Sequence, residues 1–583
     1  MNSKDDTGFR EFIRRLALLN AVKYDGKART RPVIGKLLNE KPELRTKVKK
    51  VTSVVSEIVQ EVNNLSSDEQ YQIVKDKWPK ALERERTVEE KRLPPLHNTE
   101  KYDKIVTRFS PNPDCVLHLG SARAIVLCHE YAHMYNGEFI LRFEDTDPKT
   151  KRPVLEFYER IRKDLDWLGC KPNKEYIQSD RLPIYYEYAE RLLNDGKAYV
   201  CTCKPDRFRE KVLSGEPCVC RDLVDEEHLA RWQLMLNGTY KEGEAVVRVK
   251  TDLKHPNPAV RDWPALRIID SEKYSHPRVG RKYHVWPLYN FACGLDDHLM
   301  GISHIIRGKE HLTNMVRQRY MYECLGWQYP EAIHYGRLKI TGASLSKSKI
   351  IEGVREGIYE SWEDPRLATF AALRRRGITP ESIRKLIIDV GPKTSDVTLS
   401  WENLYAHNRR ILDQKAHRYF FVHKPFLLTV RNIPKPFSVR LLLHPSFPEK
   451  GFREYTIRSR EDNSVLLWVS RNDLDSLKVG DQVRLMELLN IRIEKVKADY
   501  AEASFTSEAY GKVKNTPVQL IHWIPFEANV PCNVVMPDST IAKGLAESAC
   551  KRLSRNSIIQ FERFGFVRID KVNNELIAYY AHR

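Results

Sequence analysis

The sequence predicts a multidomain α/β protein, and three observations carry that reading. A strand–turn–helix–strand succession begins at Lys104 and occupies about forty residues. Helical apolar spacing dominates the first hundred residues. Short β-type runs separated by turn residues dominate everything beyond about 418. At 583 residues the chain is too long for one ordinary core, so several domains are expected.

Taken in order, Phe9, Phe12, Ile13, Leu16, Leu19 and Val22 follow helical spacing, as do Val51, Val54, Val55, Ile58, Val59 and Val62. Between them, residues 27–50 carry nine basic and two acidic side chains, a local +7. Residues 1–100 therefore read as a helical module with a cationic face; a protein partner for that face is one reading, a merely solvated face the other. The stretch Leu93-Pro94-Pro95-Leu96-His97 reads as a linker. Next, Lys104–Phe109 is a short strand stopped by Pro111 and Pro113, and a helix follows with Ala124, Leu127, Tyr131 and Met134 on one face. Phe139–Phe143 is the second strand. Such a βαβ unit implies a parallel sheet with ligands at the strand C-termini. Residues 365–412 are helical again, around Arg374-Arg375-Arg376. From 418 the runs Tyr419–Val422, Val439–Leu443, Val465–Val469, Val518–Trp523 and Ile558–Phe566, divided by Pro, Gly, Asn and Asp, suggest barrels.

Composition excludes several classes. Forty-two per cent hydrophobic residues and ten per cent aromatics rule out a wholly disordered chain. No run approaches the ~20 apolar residues that cross a bilayer. The start, Met1 to Asp6, has no basic stretch leading into an apolar one, so a cytoplasmic protein is expected, without a membrane role. The net charge of +19 favours encounter with polyanions; a well-charged surface without such a partner is the alternative. No G-x-G-x-x-G or Walker-type loop is present.

The turn after the first strand offers His118, Gly120 and Ser121 at a helix N-terminus, where free N–H groups and the helix dipole favour an anion. A histidine there is either structural or a donor to phosphate. A second loop, Leu338 to Lys349, holds Lys347 and Lys349 among Ser344, Ser346 and Ser348, the residue types of a phosphate clamp. Separately, Cys201-Thr202-Cys203 and Cys218-Val219-Cys220 stand fourteen residues apart. Four thiolates on two knuckles can close a tetrahedral zinc site; four reduced thiols are the alternative.

These blocks carry a family resemblance. His118-Leu119-Gly120-Ser121 resembles the first signature of class I aminoacyl-tRNA synthetases, and Leu345-Ser346-Lys347-Ser348 resembles the core of the second, about 225 residues later. Arg108–Pro113, Leu141–Pro148 and Tyr289 through Arg307 to His311 narrow it to the archaeal and eukaryotic branch of glutamyl-tRNA synthetases. Ile521-His522-Trp523 and Gln560-Phe561-Glu562-Arg563 match the branch shared with glutaminyl-tRNA synthetase. Ser121 departs from the pattern, because the first signature ends in a second histidine and a hydroxyl carries no charge.

The resemblance implies a Rossmann-type catalytic domain over 101–345, with a zinc-bearing acceptor-end insertion at about 200–285 held by Cys201, Cys203, Cys218 and Cys220. It implies a helical stem-contact region over 346–414, whose Arg374 to Arg376 grip tRNA phosphates, and anticodon-binding barrels over 415–583. The implied reaction is ATP-dependent formation of glutamyl-adenylate, then transfer to the 3′-terminal adenosine of glutamate tRNA, with glutamine tRNA as an additional acceptor left open. His118, Gly120, Ser121, Ser346, Lys347, Ser348 and Lys349 would hold ATP, which brings Mg with it; His118, Lys347 and Ser121 would do the catalytic work. Arg108, Asn112, Glu144, Tyr289 and Arg307 would hold glutamate. One arginine at ~4 Å in an effective dielectric of ~20 contributes about 4 kcal/mol, of which ~2–3 survive desolvation, roughly 30- to 150-fold for glutamate over glutamine. The alternatives are a glutaminyl enzyme, which lacks an arginine matching Arg307, and a non-catalytic tRNA-binding paralogue.

Overall fold

The computed structural model describes residues 3–23, 26–41, 44, 48–78, 92–342, 346–508 and 519–583. Ala343, Ser344 and Leu345 of the second loop, and Val518, lie outside the described residues. The chain divides into two compact units, Met1–Lys91 and Arg92–Arg583.

The first unit contains helices Ser3–Lys23, Thr30–Glu40, Val48–Asn63 and Ser67–Lys77. Ile13 and Leu16 are buried as the spacing predicts, but Ala17, Leu18 and Ala21 complete the stripe, while Phe9, Phe12, Leu19 and Val22 are only half-buried. Small residues permit closer helix approach on that side, so the aromatics are pushed to its margin. Ser66 caps the fourth helix, accepting from the Glu69 N–H while the Glu69 carboxylate accepts from the Ser66 N–H.

In the second unit the expected βαβ unit is present. Strand β1 (Val106–Phe109) pairs in parallel with β2 (Glu138–Phe143), and β2 with β3 (Lys174–Ile177); helix Leu119–Met134 crosses between the first two. Leu127 and Tyr131 are buried on that helix, but Met134 at its end is exposed. The segment Leu93–His97 is no loose tether. Leu93 and Leu96 bury in the sheet–helix core, and the Leu96 N–H donates to the Tyr135 hydroxyl. Their apolar side chains outweigh the extended habit of the prolines between them.

The chain then leaves the sheet. Strands β4 (Ala198–Cys201), β5 (Val246–Val249), β6 (Pro264–Ile268) and β7 (Val285–Pro287) form an antiparallel sheet in sequence order. It returns through helix Tyr289–Leu299 to β8 (His304–Gly308), which pairs in parallel with β9 (Glu331–Tyr335). Ser303 exchanges hydrogen bonds with Val106, setting β8 alongside β1, so the parallel strands run β3-β2-β1-β8-β9. The connection reverses direction between β1 and β8, and in such sheets ligands bind beyond the strand C-termini at that point.

Helices Phe370–Arg376, Pro380–Val390 and Trp401–Lys415 follow. The C-terminal part holds two seven-stranded sheets. One begins and ends on neighbouring strands Arg418–Tyr419 and Phe421–His423, the other on Gln519–Ile521 and Ile524–Pro525. Each sheet therefore closes on one stretch of chain, which is how a barrel removes its edges. Trp523 is a core residue whose indole N–H donates to the Met486 carbonyl.

Arg376 overturns one expectation. It is buried, donates to the Tyr405 hydroxyl and the Ala581 carbonyl, and lies over the Trp401 ring. Arg375 packs over Tyr579 and Arg374 over Trp167. Arg376 thus fastens its helix to the end of the chain and is unavailable to phosphate, while Arg374 and Arg375 stay partly exposed. No helix among the described residues is long and apolar enough to cross a membrane.

Candidate active site

A cavity of about 620 Å³ opens where β1 and β8 end. Arg108, Asn112, Glu144, Tyr289 and Arg307, the five residues assigned to an amino acid, all line it. Arg108 is the third residue of β1 and Arg307 the fourth of β8, so the sheet itself brings together two guanidinium groups nearly two hundred positions apart. Glu144 follows the end of β2, and Tyr289 opens helix Tyr289–Leu299 with its ring against His311.

Arg307 is buried, and its partners are neutral. One Nη donates to the Gln318 carbonyl oxygen at 3.1 Å and to the Tyr329 hydroxyl at 3.0 Å, while the other Nη has no partner among the described residues. Burial, with Arg307 next in weight, holds His334 and His311 down to about 4, so both are uncharged at neutral pH. Glu310, the acid nearest in sequence, forms no ion pair with Arg307 among the described residues. A buried cation with an unused donor facing a cavity is a carboxylate receptor in waiting.

Arg108 is different. Its Nε and Nη2 grip the two oxygens of buried Asp297 at 3.0 and 3.2 Å. Asp297 also accepts from Arg142 at 2.7 Å, and Arg142 in turn donates to Glu144 at 3.0 Å. Burial alone would raise Asp297, but the two guanidinium groups hold it down to about 2. Asp297 and Arg142 escaped the sequence reading. Two signals pointed at them: a single arginine inside the apolar strand Phe139–Phe143, and an acid at i+8 from Tyr289 on the same helix.

The phosphate loops lie beside this cavity rather than lining it. His118 is the N-cap of helix Leu119–Met134, and its Nδ1 accepts from the Gly120 N–H at 3.0 Å. The Ser121 N–H donates to the His118 carbonyl and the Leu119 N–H to the Ala368 carbonyl. The first-turn N–H groups expected to be free are therefore engaged, because His118 bridges to Thr369 and turns its ring back on its own helix. What remains for an anion is the dipole, the Ser121 hydroxyl and the His118 Nε2. With Nδ1 accepting, the proton sits on Nε2, and burial lowers the imidazole to about 4, so it donates as a neutral ring.

Lys347 begins helix Lys347–Arg355 and contacts Asp114, in the turn that also carries Ser110 and Asn112. Burial pulls its ammonium down to about 8; the adjoining carboxylate favours the charged form, so it is a cation at neutral pH. The contact draws the second loop onto the first. Ser346 and Ser348 hydroxyls lie 3.3 Å apart, and Lys349 is exposed. Asp114 was not anticipated.

The four cysteines converge. Cys201 and Cys218 sulfurs are 3.9 Å apart, Cys203 and Cys220 3.7 Å, and all four lie within 4.8 Å of one another. A tetrahedral zinc with bonds of ~2.3 Å needs sulfur separations of about 3.8 Å, so the set fits that metal, whereas a disulfide needs about 2 Å. Arg231 reaches Cys220 at 3.5 Å, a cation suited to offset thiolate charge.

Comparisons with known proteins identify the family. The family described as "tRNA synthetases class I (E and Q), catalytic domain" matches residues 104–414, and its two anticodon-binding domains match 416–509 and 520–570. The chain belongs to the class I tRNA synthetases of the E and Q group. Among its relatives are proteins named glutamate–tRNA ligase from Pyrococcus abyssi, 52% identical over 98% of this chain and 99% of that one, and from Thermococcus kodakarensis, 50% identical over 98% and 99%. The protein of the same name from Methanocaldococcus jannaschii is 45% identical over 98% of this chain and its whole length.

Proposed function

We infer that this chain is a glutamate–tRNA ligase: it activates L-glutamate with ATP and transfers it to tRNA. The full-length relatives bear that name, and the observation that carries the choice of amino acid is Arg307. Among the described residues it is the buried cation of the pocket that meets only neutral groups, which matches the extra negative charge of glutamate over glutamine. A glutamine amide there would leave the guanidinium uncompensated.

In this reading Arg307 and the remaining Nη of Arg108 receive the side-chain carboxylate, Glu144 receives the α-ammonium, and Tyr289 and Asn112 complete the enclosure. ATP, carrying its Mg, lies along His118, Gly120, Ser121, Ser346, Lys347, Ser348 and Lys349. The glutamate α-carboxylate attacks the α-phosphorus, pyrophosphate leaves, and a terminal ribose hydroxyl of tRNA then displaces AMP from the adenylate. No side-chain nucleophile takes part: Lys347 and the Nε2–H of His118 stabilise charge on the phosphates as the bond to pyrophosphate lengthens, and Ser121 adds one hydroxyl donor. A zinc bound by the four cysteines would supply cross-linking, holding the two cysteine knuckles together; the insertion itself has a substantial apolar core around Trp232 and Trp263, contrary to the loop-rich character its cysteines suggested. The helices over 346–414 are assigned to the tRNA stem and the barrels over 415–583 to the anticodon, within the cytoplasm.

ATP–pyrophosphate exchange with tRNA present tests the reading. Exchange dependent on glutamate, at least about 30-fold above glutamine, is expected. Equal exchange with glutamine overturns the assignment, and exchange with neither points to the non-catalytic paralogue.

A further inference from the structure

The buried groups Arg108, Asp297, Arg142 and Glu144 form one chain of alternating charge, joined by contacts of 3.0, 2.7 and 3.0 Å. Its first member faces the side-chain end of the proposed ligand and its last faces the α-ammonium end. The two middle members, Asp297 and Arg142, are 1% and 0% exposed in their side chains and do not line the cavity. We propose that Asp297 and Arg142 are positioning residues that set the length of amino acid the site accepts, fixing the separation of Arg108 from Glu144 so that glutamate spans it and aspartate does not. The proposal rests on the glutamate reading above and adds the residues that enforce it.

Three features support a spacer function beyond simple packing. The chain is electrically neutral as a whole, so it adds no net charge to the pocket: Arg108 offers the side-chain carboxylate a hydrogen bond, and the unpaired charge of Arg307 balances it. Each joint uses directional guanidinium geometry: Asp297 presents one oxygen to two arginines, and Arg142 divides its two Nη atoms between Asp297 and Glu144. The chain is also tied down from outside. Cys293 donates to the same Glu144 oxygen at 2.9 Å, and the neighbouring Asp296 is held by Gln178, Arg181 and Tyr185. Helix Tyr289–Leu299 supplies Tyr289, Cys293 and Asp297 at i, i+4 and i+8, so one rigid element carries the spacer and touches both ends of it. Glu144 keeps its second oxygen, without a partner among the described residues, for the ligand.

A shorter acid that meets Arg307 would leave its ammonium short of Glu144 by one methylene, a difference ordinarily worth about 10- to 200-fold. Loosening the spacer should erode that discrimination before it harms ATP use. In tRNA-containing exchange assays, Asp297→Asn is expected to raise KM for glutamate and to lower the glutamate-to-aspartate ratio of kcat/KM at least about 10-fold, with KM for ATP within about twofold of the parent. Arg142→Lys keeps the charge but cannot bond to both neighbours as a planar fork, and is expected to shift the ratio in the same direction. Thermal melts establish that each variant is folded, and if the buried Asp297→Asn fails that check, Arg142→Lys decides. An unchanged ratio in a folded variant, or parallel loss for both acids together with ATP, overturns the spacer. Failure of the parent enzyme to use glutamate would instead overturn the function, and the parent is measured first.

Discussion

The amino-acid pocket and the phosphate loops lie side by side, yet they are built on opposite principles. The pocket takes its charges from strand ends and one helix, buries them, and ties all but Arg307 to one another with directional bonds. The loops rest on a half-buried histidine, a serine hydroxyl and lysines on flexible stems, drawn together by the Lys347–Asp114 contact. The difference follows the ligands. Glutamate must be told from near-isosteres by one functional group, which needs prefixed geometry in a dry site. A triphosphate is large and highly charged, so strength matters more than exact placement, and its phosphates must move as the bond breaks.

That contrast can be broken at several points. Arg307→Ala should have the largest effect, losing at least ~2 kcal/mol of glutamate activation, about 30-fold in kcat/KM, because a buried carboxylate loses its counter-charge. Unchanged exchange kinetics would remove Arg307 from the pocket. Lys347→Ala should slow adenylate formation by roughly 10- to 100-fold in single-turnover measurements while changing tRNA affinity by less than about twofold. Equal losses in both would mark a folding defect. The same lysine makes the loops the pH-sensitive partner. Its folded value is lowered to about 8, so the cation is present below that pH and is lost as pH rises through it. kcat/KM for ATP should decline above pH 8, and Lys347→Arg should flatten that alkaline limb. Smallest in its effect on the chemistry is the remote cysteine cluster. Purified protein should contain about one equivalent of zinc, and chelation should lower the melting temperature by a few degrees while leaving glutamate-dependent exchange nearly intact. Less than about half an equivalent would leave four reduced thiols.

Legibility differed in the same way between the two regions. The loops proposed for phosphate could be read from spacing because their signal is local: His118, Ser121 and Lys347 stand in short, glycine- and serine-rich segments with a characteristic composition. Even there, the engaged N–H groups of the first turn were invisible, since they depend on a bridge from His118 to Thr369, a residue 251 positions on. In the pocket, Arg108 and Arg307 were found through motif resemblance. Asp297 and Arg142 were not, because an acid in one helix and an arginine in one strand acquire meaning only once burial forces them to pair. Arg376 taught the converse: three consecutive arginines read as a phosphate grip, and packing turned one of them inward.

From sequence alone came the order of the parts: a basic helical module, a βαβ core interrupted from about residue 200, a helical stretch, and strands short enough to close on themselves. Periodicity and turn chemistry are properties of neighbouring residues, so they survive without the fold. Which charges would neutralise one another, and which would be left for a ligand, was decided by tertiary structure. Charge pairing depends on distance and on exclusion of water, and both are created only when β1, β2, β8 and the helix Tyr289–Leu299 pack around one cavity.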